Sequence, residues 1–523
     1  MPGIVTRRFR IHNAEQFHEA FSETAATNMY LFIARVSAWP DDNDPPTPTD
    51  SVQVTEYDSW KKMLSAKRVQ SSDITFAIPR YNWSSGKVYR EYKNTSTTLH
   101  DAPASSNGMY VISSSYNVYK CLFNNKGAAS TVEPTGTATS TLVTADGYHW
   151  KFLYTVDAGS ALKFLATNWQ PVKTLAADDG SAQFDVQSAA ANGAINIIDV
   201  EAVGDNYLTQ SGSFQAVADG DTMTLSSGAS GTDNIYNGGA LYIASGLGSG
   251  QVREITDYTG ASKVVQLKTP FSTVPNTTST YAVGPLVTIT GDGTGAQAYA
   301  NVVIGGANGN TVNYINMVAV GSNYSEATVA ITANTSHGAG ATATAYVAPP
   351  GGHGSDPFGE LAGHNVILNV QLDGTESGTF MTSNDFRTLG IIRDPKLANG
   401  SIATGTAYDQ TTQITVTSVS SSGRYTLDET VTGGTSGATG KLVSFANTNS
   451  ANTTGIVRVI DTDGTFSGSE TITGGGSGVT ATVSSAALGG LKAYTGDVVY
   501  TENRGPISRA SDQIEDIKLI VKF

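Results

Sequence analysis

The chain has 523 residues, enough for about three or four domains, and its 56 glycines and 15% charged residues are typical of a β-rich, turn-rich structural protein rather than a helical enzyme. The formal net charge of −14 argues against a nucleic-acid partner, because an acidic body repels phosphate. The single cysteine, Cys121, excludes an intramolecular disulfide framework, and we expect it to be a small core residue. We expect no membrane span and no signal peptide, and assembly in a reducing cytoplasm.

The amino-terminal segment is predicted to form a strand and then a helix. Residues Ile4 to Ile11 alternate well enough for a strand. Within them Arg7-Arg8-Phe9-Arg10 is the only basic cluster, and we interpret it as a solvated or partner-facing strand edge rather than a nucleic-acid arm. Asn13 then offers a helix N-cap, with Gln16 at the capping-box position.

The following residues alternate between strand, loop and helix signals. Met29 to Ala34 is an unbroken apolar run, which predicts a central strand covered on both faces. The stretch 39–49 is rich in proline and aspartate and predicts an ordered surface loop. A second helix is predicted from near Thr55 to Leu64. Residues 73–170 contain strand-length pieces between turn signals, which favours a β-sandwich module.

Internal repeats occupy the middle of the chain. Residues Ile195 to Tyr207 recur as Val312 to Tyr324. Gly-rich residues Gly291 to Val303 recur as His337 to Val347, with a degenerate copy at Asp178 to Val186. We interpret each Gly-rich copy as a turn followed by a strand that needs neighbours to bury its face.

A second repeat lies closer to the carboxyl terminus. Leu427 to Val443 returns as Gly468 to Val483, which places Glu429 and Glu470 at equivalent positions. These segments predict short β-hairpins or sandwich halves. We interpret residues 401–487 as an insertion that a short linker could replace, because strands of the first domain flank it on both sides.

The last residues predict two strands. Asp497 to Thr501 forms the first, and Ile517 to Phe523 alternates apolar and polar side chains as a half-buried strand does. Residues 502–506 predict a turn-rich joint between them, followed by a charged helix or turn at 508–512.

One segment offers metal-ligand residue types. It contains His353, Asp356, Glu360 and His364, but their spacing matches no compact ligand pattern. The Gly-rich residues 291–296 precede a strand, whereas a phosphate-binding loop opens a helix. We therefore assign no catalytic residue, no cofactor and no metal site, and the residues of a partner interface are unknown.

Aromatic residues in predicted loops suggest interfaces instead. They are Trp39, Tyr81, Trp83 and Tyr148 to Trp150. Such side chains give the large amphipathic contact area that anchors protein partners or carbohydrate. The alternative is that they fill an ordinary β-sandwich core.

Short motifs in one order along the chain carry a family resemblance. They are IVTRRFR (4–10), PTDSV (48–52), AIPRYNW (77–83), VYKC (118–121), DGYHWKFLY (146–154) and LGIIRDPKL (389–397). Together with the terminal pair of strands, they resemble gene product eight, the baseplate wedge subunit of T-even-type contractile-tailed phages (myoviruses). The resemblance covers residues 1 to about 170 and about 360 to 523, outside the segment near 400 to 488.

The resemblance implies a structural virion protein without catalysis. In that family the subunit is a homodimer that contacts neighbouring wedge proteins in the tail baseplate. The alternatives are a glycan-binding tail or adhesin protein, and a polysaccharide-degrading enzyme. A glycan array and polysaccharide turnover would distinguish these from the wedge subunit.

We expect a mainly β protein with a small α+β part. The α+β domain would combine residues 1–95, 359–400 and 488–523 from both chain ends. Inserted in it would be a β-sandwich domain (96–175), a β-repeat domain (176–358) and a β-hairpin repeat domain (401–487).

Overall fold

The computed structural model describes residues 3–23, 27–35, 37–100, 107–305, 309–333, 337–373, 385–420, 424–508 and 514–523. The chain is mainly β with a small helical part, as predicted. It divides into two compact units, which we call unit 1 (Met1–Ala77 with His364–Phe523) and unit 2 (Ile78–Gly363). Both chain ends belong to unit 1. The finer division into four domains stays a prediction.

The helices are short. They are α1 (Arg7–Glu19), α2 (Ser59–Lys62), α3 (Ala158–Phe164), α4 (Ala182–Ser188) and α5 (Pro357–Glu360), with a π-helical segment at Val52–Asp58 and a 3-10 turn at Ser71–Asp73.

The strands of the first half of the chain are β1 (Met29–Ala34), β2 (Met63–Arg68), β3 (Ile74–Pro79), β4 (Tyr110–Ile112), β5 (Asn117–Phe123), β6 (Leu142–Val143), β7 (His149–Thr155), β8 (Trp169–Val172), β9 (Ile195–Asp205), β10 (Gln210–Ser213), β11 (Ala216–Val217), β12 (Thr222–Thr224), β13 (Gly239–Ser245), β14 (Val252–Thr259) and β15 (Val264–Leu267). Those of the second half are β16 (Thr280–Gly291), β17 (Thr294–Val303), β18 (Thr311–Ser322), β19 (Ala327–Thr332), β20 (Ala339–Val347), β21 (Asn365–Asp373), β22 (Asp385–Arg393), β23 (Ala407–Asp409), β24 (Thr412–Thr417), β25 (Thr430–Gly433), β26 (Thr439–Asn447), β27 (Thr454–Asp463), β28 (Thr471–Gly474), β29 (Thr480–Ala487), β30 (Asp497–Ser508) and β31 (Ile514–Lys522).

Unit 1 contains a five-stranded antiparallel sheet of order β23-β2-β1-β22-β30. Strand β1 is central and buried along its whole length, as its unbroken apolar run predicts. A second sheet pairs β21 with β3 on one side and with β31 on the other. Ile517 and Leu519 of β31 face the core, which confirms the alternation predicted for the terminal strand.

The amino-terminal residues form a helix, so the predicted strand at Ile4 to Ile11 is wrong. Thr6 caps α1, because its Oγ1 accepts a hydrogen bond from the amide of Phe9. Ile11 and Ala14, three residues apart, are both buried, which is helical rather than strand spacing. The predicted N-cap Asn13 therefore lies inside the helix.

The second predicted helix starts earlier and ends sooner than expected. Ser51 caps the π-helical segment by accepting a hydrogen bond from the amide of Val54, and the helical path continues through α2. Leu64 lies in β2 and not on the helix, because its strand pairs with β1. The proline-rich residues 39–49 form no helix or strand, as predicted.

The predicted turn at residues 502–506 is also wrong, since β30 runs through it. Its register against β22 shifts between the pairs Phe386–Ile507 and Thr388–Asn503. The extra residues of this bulge include Gly505 and Pro506, which a regular ladder would tolerate poorly. The predicted segment 508–512 lies, beyond Ser508, outside the described residues.

The second repeat forms a closed barrel of order β24-β27-β26-β25-β28-β29. Each copy supplies the predicted hairpin, β25–β26 in the first and β28–β29 in the second. The equivalent residues Thr432 and Thr473 pair directly with each other. The two halves of the barrel are therefore related by a local two-fold axis, which the sequence repeat alone did not predict.

Each half of the barrel holds the glycine turn of the other through a buried carboxylate. Glu429 accepts hydrogen bonds from the amides of Gly476 and Ser477 at 2.9 and 2.8 Å. Glu470 accepts the equivalent bonds from Thr435 and Ser436 at 3.1 and 2.9 Å. We call this pair of contacts the carboxylate exchange.

The barrel also contributes to the main core of unit 1. Val443 and Ile460 belong to the same buried cluster as Leu389 of β22 and Leu519 of β31. The idea that residues 401–487 can be replaced by a linker assumed a separate core, and this shared cluster argues against it. Removing the barrel would expose apolar surface on the strands that remain.

Unit 2 pairs the two copies of the first repeat in one sheet of order β17-β18-β9-β20. Strands β9 and β18 carry the equivalent segments, and each Gly-rich copy, β20 or β17, pairs with one of them. Tyr207 and Tyr324 occupy equivalent positions after these strands. The hydroxyl of Tyr207 accepts a hydrogen bond from the amide of Ala341 at 3.0 Å, and that of Tyr324 one from Ala296 at 3.4 Å.

The degenerate third copy at Asp178 to Val186 is wrong as a strand. Its carboxyl-terminal part begins α4, which Ser181 caps by accepting a hydrogen bond from the amide of Phe184. Asp178 and Asp179 accept hydrogen bonds from the backbone amides of Gly180 and Ser181, in the turn that leads into α4. Polar side chains that bond the local backbone favour a turn and a helix start over a strand.

Candidate interaction surfaces

Unit 2 contains a buried polar cluster around Lys120. The Lys120 Nζ lies 2.8 Å from Oε2 of Glu360 and 3.0 Å from Nδ1 of His353. The ring of Tyr92 lies under the ammonium, 4.1 Å from its centroid. Oε1 of Glu360 accepts a hydrogen bond from the amide of Gly354. The cluster therefore ties β5 to the segment that precedes α5.

The charges in this cluster follow from burial and from the lysine. Burial and the nearby Lys120 ammonium lower the pKa of His353 to about 4, so its ring is neutral at pH 7 and Nδ1 can accept from the ammonium. Burial alone would raise the pKa of Glu360, but Lys120 and His353 outweigh it and lower the value to about 2. An ion pair so enclosed positions the backbone and has no access to a substrate.

Only two of the four residues with metal-ligand chemistry come together. His353 and Glu360 meet at Lys120, whereas Asp356 caps α5 and accepts from Thr174 at 2.6 Å. His364 belongs to unit 1. Within the described ranges, no group of three or more His, Cys, Asp or Glu residues could hold a metal ion. Lys120 is not among the residues that the sequence predicts for a site, although a single lysine inside the apolar run of β5 indicates a buried partner for its charge.

The loop aromatics expected at interfaces are mostly core residues. Tyr148 and Trp150 are fully buried and stack on each other. Trp39 and Trp83 are half-buried, and their indole nitrogens donate to the Arg504 carbonyl and the Ser130 hydroxyl. Cys121 lies in the same core as Tyr148 and Trp150, as predicted.

Large exposed apolar side chains lie instead at the start of unit 1. Ile4 is 86% exposed, Val5 58% and Phe9 54%. Arg8 and Arg10 are exposed beside them and form no ion pair with any described residue. We call these five residues the cationic surface. The remainder of α1 holds this surface in place, because its opposite face packs into the core.

A second exposed apolar group lies on the π-helical segment. Val52 is 66% exposed, and Tyr57 contacts the exposed ring of Tyr494 at 5.3 Å between centroids. Residues 41–58 contain six carboxylates and no lysine or arginine. Of these, Asp42 pairs with Arg387 and Asp58 with Lys62.

The four other carboxylates of this segment have no ion-pair partner within the described residues. They are Asp41, Asp44, Asp50 and Glu56. We call Asp50 and Glu56, with Val52, Val54, Tyr57 and Tyr494, the anionic surface. It differs from an ordinary solvated face because large apolar side chains lie among the charges.

Residues 3–131 match the family model described as Bacteriophage T4, Gp8. The predicted resemblance to this baseplate wedge family is confirmed. The match covers about a quarter of the chain and spans the amino-terminal part of unit 1 and the beginning of unit 2. The matched family is that of a structural protein of the phage baseplate.

No curated protein matches the chain. Among the helices that the structure describes, none has the length and apolar character needed to span a bilayer. Both exposed surfaces, apart from Tyr494, lie within the residues that match the Gp8 family.

Proposed function

We propose that this protein is a non-catalytic subunit of a contractile-tail baseplate wedge, which forms a homodimer and links neighbouring wedge proteins during tail assembly in the host cytoplasm. The match of residues 3–131 to the Gp8 family carries this proposal. The carboxyl-terminal strands, for which the sequence predicts the same resemblance, share the core of unit 1 with α1.

The construction of the chain supports a mechanical role. Long antiparallel strands and buried polar contacts hold several sheets rigidly, and large apolar side chains remain exposed in the family-like region. The buried cluster around Lys120, which contains reactive residue types, is closed to solvent. A subunit that transmits force between neighbours needs rigid bodies and interfaces rather than an open catalytic site.

Binding to other tail subunits tests the proposal. The purified protein, mixed with the remaining baseplate subunits of the same virion, should elute with at least one of them on size-exclusion chromatography. Light scattering of the protein alone at low micromolar concentration should give about twice the chain mass of 54.5 kDa, with or without reducing agent. A strictly monomeric protein that binds no tail subunit would contradict the proposal.

The glycan-binding alternative has lost its main structural support. Tyr148 and Trp150 are buried, so their ring faces are covered, and the stacking of Tyr242 on Tyr299 at 3.8 Å covers one face of each of those rings. A sugar platform needs an open aromatic face. Binding on a glycan array would nevertheless restore this alternative.

A further inference from the structure

We propose that the cationic surface of one copy docks on the anionic surface of a second copy, and that the reverse contact forms at the same time. This inference rests on the homodimer of the proposed function and names the surfaces that would form it. Both surfaces belong to unit 1, so a two-fold dimer would use each of them twice.

Exposure of large apolar side chains is the first observation behind the proposal. Ile4 and Val5 precede α1 and Phe9 lies in its first turn, while Val52, Val54 and Tyr57 occupy the π-helical segment. Single exposed apolar residues are ordinary, whereas grouped ones mark contact sites. A docked partner would remove both groups from water.

Charge selects the partner. Residues 1–14 contain three arginines and no carboxylate, while residues 41–58 contain six carboxylates and no basic residue. The rest of the chain is acidic and attracts the cationic surface in general, but the segment 41–58 combines carboxylates, no basic residue and exposed apolar side chains. Apolar contact flanked by opposite charges fixes both the site and its orientation.

The charges are available for an intermolecular contact. Arg8 and Arg10 form no ion pair within the described residues, and neither do Asp50 and Glu56. The two surfaces therefore do not neutralise each other inside one chain. In a reciprocal dimer, each copy would gain a neutralising partner for both of its surfaces, and the contact area would double. Stable dimers bury on the order of 1,200 Å² or more, which one such patch alone would hardly reach.

Charge reversal with complementation tests this pairing in the full chain. The first variant is Arg8→Glu with Arg10→Glu, and the second is Asp50→Lys with Glu56→Lys. Each variant alone would place like charges across both contacts, so each should be monomeric by light scattering at low micromolar concentration. An equimolar mixture should form a heterodimer, because each reversed surface then meets one of opposite charge.

Matched controls separate the contact from overall charge. Lys441→Glu with Lys87→Glu changes the net charge as the first variant does, and Asp257→Lys with Glu326→Lys changes it as the second does. Both controls alter exposed residues elsewhere and should remain dimeric. Unchanged melting curves would show that the variants fold, and heterodimer formation would show it independently.

Three results would overturn the inference. Dimers of either charge-reversed variant alone would place the dimer interface elsewhere and leave the homodimer intact. Two monomeric variants that form no heterodimer would contradict reciprocal pairing. A monomeric wild-type protein that binds a different tail subunit through Arg8 and Arg10 would assign the cationic surface to that subunit and keep the wedge role.

Discussion

Two regions of this protein repeat a segment of their own sequence, and they join the copies by different chemistry. In the barrel of unit 1, Glu429 and Glu470 each hold the glycine turn of the other copy with charged hydrogen bonds. In the repeat sheet of unit 2, Tyr207 packs on Gly338 and Tyr324 on Gly293. In both regions a side chain of one copy fills the space left by glycine in the other.

The difference lies in what each junction demands. A buried carboxylate must keep all its donors, because an unsatisfied charge or amide in the interior costs more than the bond is worth in water. A tyrosine ring against a glycine depends on shape, and its hydroxyl adds a single neutral hydrogen bond. The barrel should therefore be sensitive to charge and pH, and the repeat sheet to added volume.

Removing a carboxylate should have the largest effect. Glu470→Ala leaves the amides of Thr435, Ser436 and Ser467 without their acceptor and should destabilise the barrel by about 3 kcal/mol. Hydrogen exchange followed by mass spectrometry should show faster exchange across the barrel strands, with the repeat sheet unchanged. Asp463→Ala, an exposed carboxylate of the same barrel, is the control and should change little. Equal protection in both variants would contradict the carboxylate exchange.

Adding one methyl group at Gly338 should destabilise the repeat sheet and leave the barrel unchanged. A Cβ on Gly338 would lie 2.5 Å from the ring of Tyr207, so Gly338→Ala should destabilise the repeat sheet by about 2 kcal/mol. Gly340→Ala shares the left-handed backbone (φ 82° against 87°) but has no close contact, and it should cost about 1 kcal/mol. Hydrogen exchange of β9 and β20 measures both. If the two variants behave alike, the ring contact has no special role.

Acid should destabilise the barrel by less than Glu470→Ala does, since a protonated carboxyl group can still accept some of the hydrogen bonds that the carboxylate accepts. Burial raises the pKa values of Glu429 and Glu470, but their amide and hydroxyl donors outweigh it and leave both below the ordinary 4.5. The stabilisation is therefore complete above about pH 4.5 and is lost as the pH falls through the folded-state values. Barrel peptides should be cleaved faster by pepsin at pH 3 than at pH 5, after correction for the enzyme's own pH dependence. Glu429→Gln with Glu470→Gln should abolish that difference, and its persistence would assign the acid effect to other groups.

Removing one hydroxyl should have the smallest effect. Tyr207→Phe deletes the bond to the Ala341 amide at 3.0 Å and should cost about 1 kcal/mol. Tyr324→Phe deletes a longer bond of 3.4 Å and should cost less. Thermal melts of the two variants, compared directly, check the order. The opposite order would mean that the hydroxyls do not control these junctions.

Local patterns predicted much of this fold because burial leaves a periodic trace in sequence. The apolar run of β1 and the alternation of β31 both appear as expected. Alternation failed for Ile4 to Ile11, where Thr6 starts a helix whose exposed first turn shows no apolar stripe. Turn signals failed at Gly505 and Pro506, because a bulge in β30 absorbs residues that usually mark a turn.

Long-range pairings could not be predicted from the sequence. The sequence repeat places Glu429 and Glu470 at equivalent positions, but the turn that each carboxylate binds depends on closure of the barrel. Lys120, His353 and Glu360 lie far apart in the chain, so their convergence depends on tertiary packing. The sequence indicates a solvated or partner-facing edge at the arginines of α1, but it does not show which apolar side chains stay exposed beside them, and the aromatic residues of the predicted loops prove to be mostly buried.

The position of this protein in the virion tests the central claim most directly. Antibodies raised against the purified chain, coupled to gold and applied to intact phage particles, should label the distal end of the tail at the baseplate in electron micrographs. Pre-incubation of the antibody with the purified protein should remove that label. Label confined to tail fibres or to the head, or particles assembled without the protein, would contradict the assignment as a baseplate wedge subunit.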